Sequence, residues 1–80
     1  SVYMTYAAHW TDSYLKAVKR TGAAGTYNGY KSVNGSSRID YVFYRGEGLK
    51  PQLYHCDNTL YGGFYPSDHF PLWVKFKIEK

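Results

Sequence analysis

The end of the chain alternates apolar and polar residues without a break. Leu72, Val74, Phe76 and Ile78 point one way, and Trp73, Lys75, Lys77 and Glu79 point the other. A period of two predicts a strand with one covered face. By the same pattern Trp73 should leave that face and pack against a helix at Trp10 or Tyr14. Near the start, HWTDSYLKAVKRTG (9–22) has a helical period, with Trp10, Tyr14, Ala17 and Val18 on one side. Thr11 or Asp12 can cap its first turn, where free amides favour an oxygen acceptor. Lys16, Lys19 and Arg20 crowd its end as a solvated basic run, and Gly22 stops it. Residues 1–8 have weak strand character.

Between these segments, GTYNGYKSVNGSSRIDYVFYRG (25–46) predicts a hairpin. Its turn is Asn34-Gly35, a dipeptide suited to positive φ. The arm from Ser37 to Tyr44 is rich in Ile, Val, Phe and Tyr and is the better strand. GLKPQLYHCDNTL (48–60) predicts a shorter, weaker strand, whose start Pro51 makes an edge or an irregular entry. YGGFYPSD (61–68) is a loop. The expected fold class is α+β: one helix and a mostly antiparallel sheet of about four strands.

Eighty residues make one small domain at most. The single cysteine, Cys56, excludes an internal disulfide, and His55-Cys56 lacks the second pair a structural zinc needs. Aromatic residues are 20% of the chain and ten of them are tyrosine. Tyrosine keeps a wet hydroxyl on a buried ring, so a core built from it is shallow or abuts another surface. A net charge of +4, spread over several elements, slightly favours anionic partners without forming a nucleic-acid patch. No apolar run approaches the ~20 residues of a membrane span.

Two short acidic stretches carry the candidate chemistry. In RIDYVFY (38–44), Asp40 interrupts an apolar strand between Ile39 and Tyr41. A carboxylate there loses hydration and needs a partner. Spacing leaves two kinds open: Arg38 or a lysine in a salt bridge, or His69 across the sheet. In YPSDHFP (65–71), Asp68 and His69 stand side by side between Pro66 and Pro71. An aspartate accepting from one imidazole nitrogen fixes the tautomer and leaves the other nitrogen free to take a proton. Ser67 and the two prolines support that turn.

RIDYVFY followed by YPSDHFPLWVKF resembles the C-terminal signature of the endonuclease/exonuclease/phosphatase family of Mg²⁺-dependent phosphoesterases. HWTDSYLKAV resembles the Asp-initiated helix of that family. TGAAGTYNGY resembles the segment that reads Thr-Phe-His-Gly-Phe there, and the likeness spans nearly the whole chain. It implies that His69 is the general base that activates water, that Asp40 orients it, and that Asp68 lies near the metal and the attacking water. Asn28 and Arg38 become candidate substrate contacts, with Asn28 standing where the family often has histidine. The implied cofactor is Mg²⁺, or Mn²⁺, with Asp68 as the one ligand present. The family's metal-binding Glu and its Gly-Asp-x-Asn segment are not found.

Residues 1–80 are therefore expected to be the C-terminal fragment of such a domain, one half of a four-layer α/β sandwich. The partners implied are a phosphorylated substrate and either the missing N-terminal half or a second copy. The isolated chain is expected not to hydrolyse phosphoesters. The rival expectation is a non-catalytic binding or assembly fragment with a Tyr-rich, basic surface.

Overall fold

A computed structural model describes residues 2–31, 34–35 and 37–79. Two short helices and five strands form a small α+β unit. In chain order they are α1 (Val2–Ala7), β1 (Thr11–Asp12), α2 (Ser13–Lys16), β2 (Lys19–Gly22), β3 (Phe43–Tyr44), β4 (Leu49–Cys56) and β5 (Leu72–Ile78). β1 and β3 pair antiparallel as a two-stranded sheet, with Asp12 opposite Phe43. The second sheet has the order β2-β4-β5, in which β2 runs parallel to β4 and β5 antiparallel to it.

The expected strand at 1–8 is instead α1. Tyr3 and Tyr6 lie three residues apart, so a helix turns both rings to one side. Both meet Phe43, at ring-centroid distances of 5.6 and 5.8 Å. The long helix expected over 9–22 is also shorter. Asp12 caps α2 as anticipated, accepting from the Tyr14 amide at 3.1 Å. The helix then stops at Lys16, because the next residues join the sheet. The Val18 amide bonds the Pro51 carbonyl, and Lys19–Gly22 align with Leu53–Cys56 of β4. Ladder pairing here overrides helix propensity. Arg20 stays in the basic run but bonds the carbonyls of Tyr14 and Leu15, satisfying the C-terminal end of α2. Gly22 ends β2 rather than a helix. Its φ is 86°, and a Cβ there would lie 1.8 Å from the Cys56 carbonyl oxygen.

The weak strand expected at 48–60 is the longest strand among the described residues and the centre of its sheet, so Pro51 marks the irregular entry and not an edge. Pro51 is tolerated because the β4–β5 register shifts between Pro51 and Leu53. β5 follows the predicted alternation: Leu72, Val74 and Phe76 are partly covered, and Trp73, Lys75 and Lys77 are exposed. Ile78 is exposed as well. Trp73 packs on His55 of β4, centroids 5.1 Å apart, and not on the helix.

The predicted hairpin is present as a return of the chain, not as a ladder. The Gly25 amide bonds the Asn34 carbonyl, and Tyr27 bridges Ser37. Gly35 has φ 73°, and its Cβ would strike the Gly25 carbonyl at 2.3 Å. Residues 32, 33 and 36 of the predicted hairpin lie outside the described residues. Of the arm 37–44, only Phe43–Tyr44 enter a sheet.

The core is thin, as the tyrosine content implied. Ala17, Ala23, Tyr54, Cys56, Tyr65 and Phe70 are buried, with Tyr14, Leu72 and Val74 packed beside them. Burial pushes the Tyr54 hydroxyl up to about 12 and the Cys56 thiol up to about 11. Tyr65 and Phe70 lie edge to face, 5.3 Å apart, and so anchor both ends of the segment carrying Pro66, Ser67, Asp68 and His69.

Candidate active site

His69 and Asp40 meet. Nδ1 of the imidazole lies 2.6 Å from Oδ2 of the carboxylate. A carboxylate only accepts, so Nδ1–H is the donor. Both side chains are about two-fifths exposed. The pair therefore stands at a mouth and not in the core. The other ring nitrogen, Nε2, lies 4.0 Å from Oδ1 of Asp68, beyond direct hydrogen bonding. The hydrogen bond that Nδ1–H donates to Asp40 raises the His69 pKa above the ordinary imidazole value. Partial desolvation opposes this, and the charges of Asp40 and Asp68 add to it.

The loop that presents His69 is held from several sides. Its own amide bonds Ser67 Oγ at 3.2 Å, a local side-chain turn that matches the supporting role expected of Ser67. The Asp68 carbonyl accepts from the amides of Asn28 and Gly29. Asn28 is buried; its Nδ2 donates to the Ser67 carbonyl at 3.0 Å and its Oδ1 accepts from the Tyr30 amide at 2.6 Å. Asn28 thus braces the loop, while the Tyr27 ring stands edge-on to His69 at 5.5 Å.

Arg38 lies elsewhere, and its partner is not Asp40. Its Nη2 lies 2.7 Å from Oδ2 of buried Asp12. The guanidinium stands over the rings of Tyr14 and Tyr41, at 4.4 and 4.8 Å. Burial pulls its pKa down, but the hydrogen bond and charge of Asp12, together with Tyr3, outweigh that and raise it.

A divalent cation is not provided for by these residues alone. Mg²⁺ takes oxygen ligands in near-octahedral array. Among the described residues no three His, Cys, Asp or Glu side chains form a metal-holding group. Asp68 supplies one carboxylate.

One residue absent from the sequence-derived set is central here. Thr26 is fully buried, and its Oγ1 accepts from the amides of Ile39 and Asp40. Its place in TGAAGTYNGY was the available signal. A separate apolar groove of about 410 Å³, lined by Tyr3, Tyr6, Trp10, Ile39, Tyr41 and Phe43, includes none of the pair.

No family model matches the chain, and no curated protein matches it. Among solved structures, it is similar to a conserved protein of unknown function from Enterococcus faecalis V583. That likeness has 27% identity and a TM-score of 0.81, over 99% of this chain and 31% of the other. It is also similar to a mannosyl-6-phosphatase from Bacteroides thetaiotaomicron VPI-5482, at 28% identity and a TM-score of 0.64, over 84% of this chain and 28% of that one. The chain thus spans less than a third of either neighbour, one of which is a phosphatase.

Proposed function

We propose that residues 1–80 are the C-terminal part of a phosphoester hydrolase domain of the endonuclease/exonuclease/phosphatase type. In this reading His69 is the general base, taking a proton from water at Nε2. Asp40 holds the ring through Nδ1 and favours the imidazolium that results. Asp68, beside Nε2, helps orient the water. The observation that carries the reading is the 2.6 Å contact of Nδ1 with Asp40, which leaves Nε2 turned to the half-open mouth beside Asp68. The likeness to a mannosyl-6-phosphatase supports a phosphoester substrate and makes a hexose 6-phosphate the first to try.

Mg²⁺ or Mn²⁺ belongs to this reading only with further oxygen ligands from outside these residues. Asn28 and Arg38 stay in this reading as candidate substrate contacts, with Asn28 bracing the loop through Ser67 and Tyr30 and Arg38 holding Asp12 through Nη2. The test is hydrolysis of p-nitrophenyl phosphate and hexose 6-phosphates by the parent protein with and without His69→Ala. Loss of turnover in the variant, with the 80-residue chain inactive by itself, is the expected result. Undiminished turnover in His69→Ala overturns the proposal.

A second reading, an assembly fragment, is favoured by one observation. Tyr6, Trp10 and Ile39, all at least two-fifths exposed, line the apolar groove. The missing part of the domain or a second copy would cover them. The two readings are compatible, because a domain fragment exposes the face that its remainder covers.

A further inference from the structure

Asp40 and His69 are 29 residues apart, on two segments that each bond to a third. That third segment is Gly25–Asn28, and Thr26 is bonded to both sides of it. On one side, Thr26 Oγ1 accepts from the Ile39 amide at 2.9 Å and the Asp40 amide at 3.0 Å, while its own amide donates to the Ser37 carbonyl at 2.8 Å. On the other side, its carbonyl accepts from the Phe70 amide at 2.7 Å. The next residue, Tyr27, forms the bridge to His69. The hydroxyl and main chain of one buried residue therefore connect the backbone beneath the acid to the backbone beneath the base.

We infer that Thr26 is the positioning residue of the pair: its hydroxyl, by accepting two consecutive amides, sets where Asp40 stands relative to His69. The inference rests on reading that pair as the working centre. A hydroxyl has two lone pairs and can accept twice, which a valine of the same shape cannot do. The 39–40 amides belong to no strand, so no ladder replaces the lost acceptor. Tyr27 stands T-shaped to the imidazole, and the Asn28 side chain meets the Ser67 carbonyl and the Tyr30 amide.

The experiment is imidazole ¹⁵N NMR of the chain, at a pH where His69 is neutral. It reads which ring nitrogen carries the proton without substrate or metal. The expected result is the Nδ1–H tautomer in the unsubstituted chain and in Thr26→Ser, which keeps the hydroxyl. Thr26→Val should shift toward the Nε2–H form. Val74→Ala, which thins the core away from this segment, should leave the tautomer unchanged. Retention of the Nδ1–H form in Thr26→Val overturns the inference, as does its loss in Val74→Ala. Should Thr26→Val not fold, amide exchange in the unsubstituted chain decides. The Ile39 and Asp40 amides should exchange roughly a hundredfold slower than in an open chain, as hydrogen-bonded amides do; exchange at the open-chain rate overturns it. A parent protein with no hydrolytic activity would sink the phosphoesterase reading and leave the tautomer result standing.

Discussion

Two aspartates in this molecule each hold a basic side chain at nearly the same distance, in very different surroundings. Asp12 meets Arg38 at 2.7 Å and Asp40 meets His69 at 2.6 Å. The bases differ in kind, since arginine stays protonated and histidine titrates near neutrality. The surroundings differ more. Asp12 is only 3% exposed, caps α2, accepts from the Tyr3 hydroxyl and lies beneath a guanidinium flanked by aromatic rings. Asp40 and His69 are open to solvent on one side. Contact distance does not distinguish the two pairs. Exposure and the capacity to exchange a proton do.

The comparison can be broken most decisively at Asp12. Asp12→Ala leaves a largely buried guanidinium without its carboxylate and removes a helix cap. The expected loss is about 3–5 kcal/mol, a large share of the stability of a chain this short, read by urea unfolding. Arg38→Lys tests the flanking rings. Lysine keeps the charge but cannot stack as a plane, so about 2 kcal/mol should be lost. If Arg38→Lys is silent, the aromatic enclosure contributes nothing and the contrast fails.

Asp40→Asn should cost far less than Asp12→Ala, because the pair is exposed and well solvated. Its effect should also depend on pH. The His69 pKa is raised in the folded chain, so the stability contributed by the pair is fully present below the ordinary imidazole value of about 6.5. It is lost as pH rises through the raised value. The Asp12–Arg38 pair should show no such loss over that window. If His69 is a base, activity of the parent should move the other way, rising with pH as the imidazole becomes neutral. The smallest effect is screening: salt of ~1 M should shrink the Asp40→Asn difference and leave that of Asp12→Ala nearly unchanged.

Much of the site was legible before the fold. An acid inside an apolar run and an imidazole between two prolines each need an explanation, and the order of the two stretches suggested one partner for both. The role of Arg38 was not legible, because its partner lies 26 positions away and sequence neighbours say nothing of that contact. The element boundaries failed where local and long-range preferences conflict. Residues 19–22 have helical spacing and still join β4, and a proline still lies within the central strand, because a bulge absorbs it.

Periodicity, the Asp12 cap and the turn chemistry around Ser67 follow from nearest neighbours, so the chain alone determined the α+β class, the alternation of β5 and the loop that presents His69. Only tertiary structure decided which aspartate takes the arginine and which the histidine. Both choices depend on segments distant in sequence meeting at Thr26 and under Tyr14. Burial then gave the two pairs different surroundings, drying one and leaving the other wet.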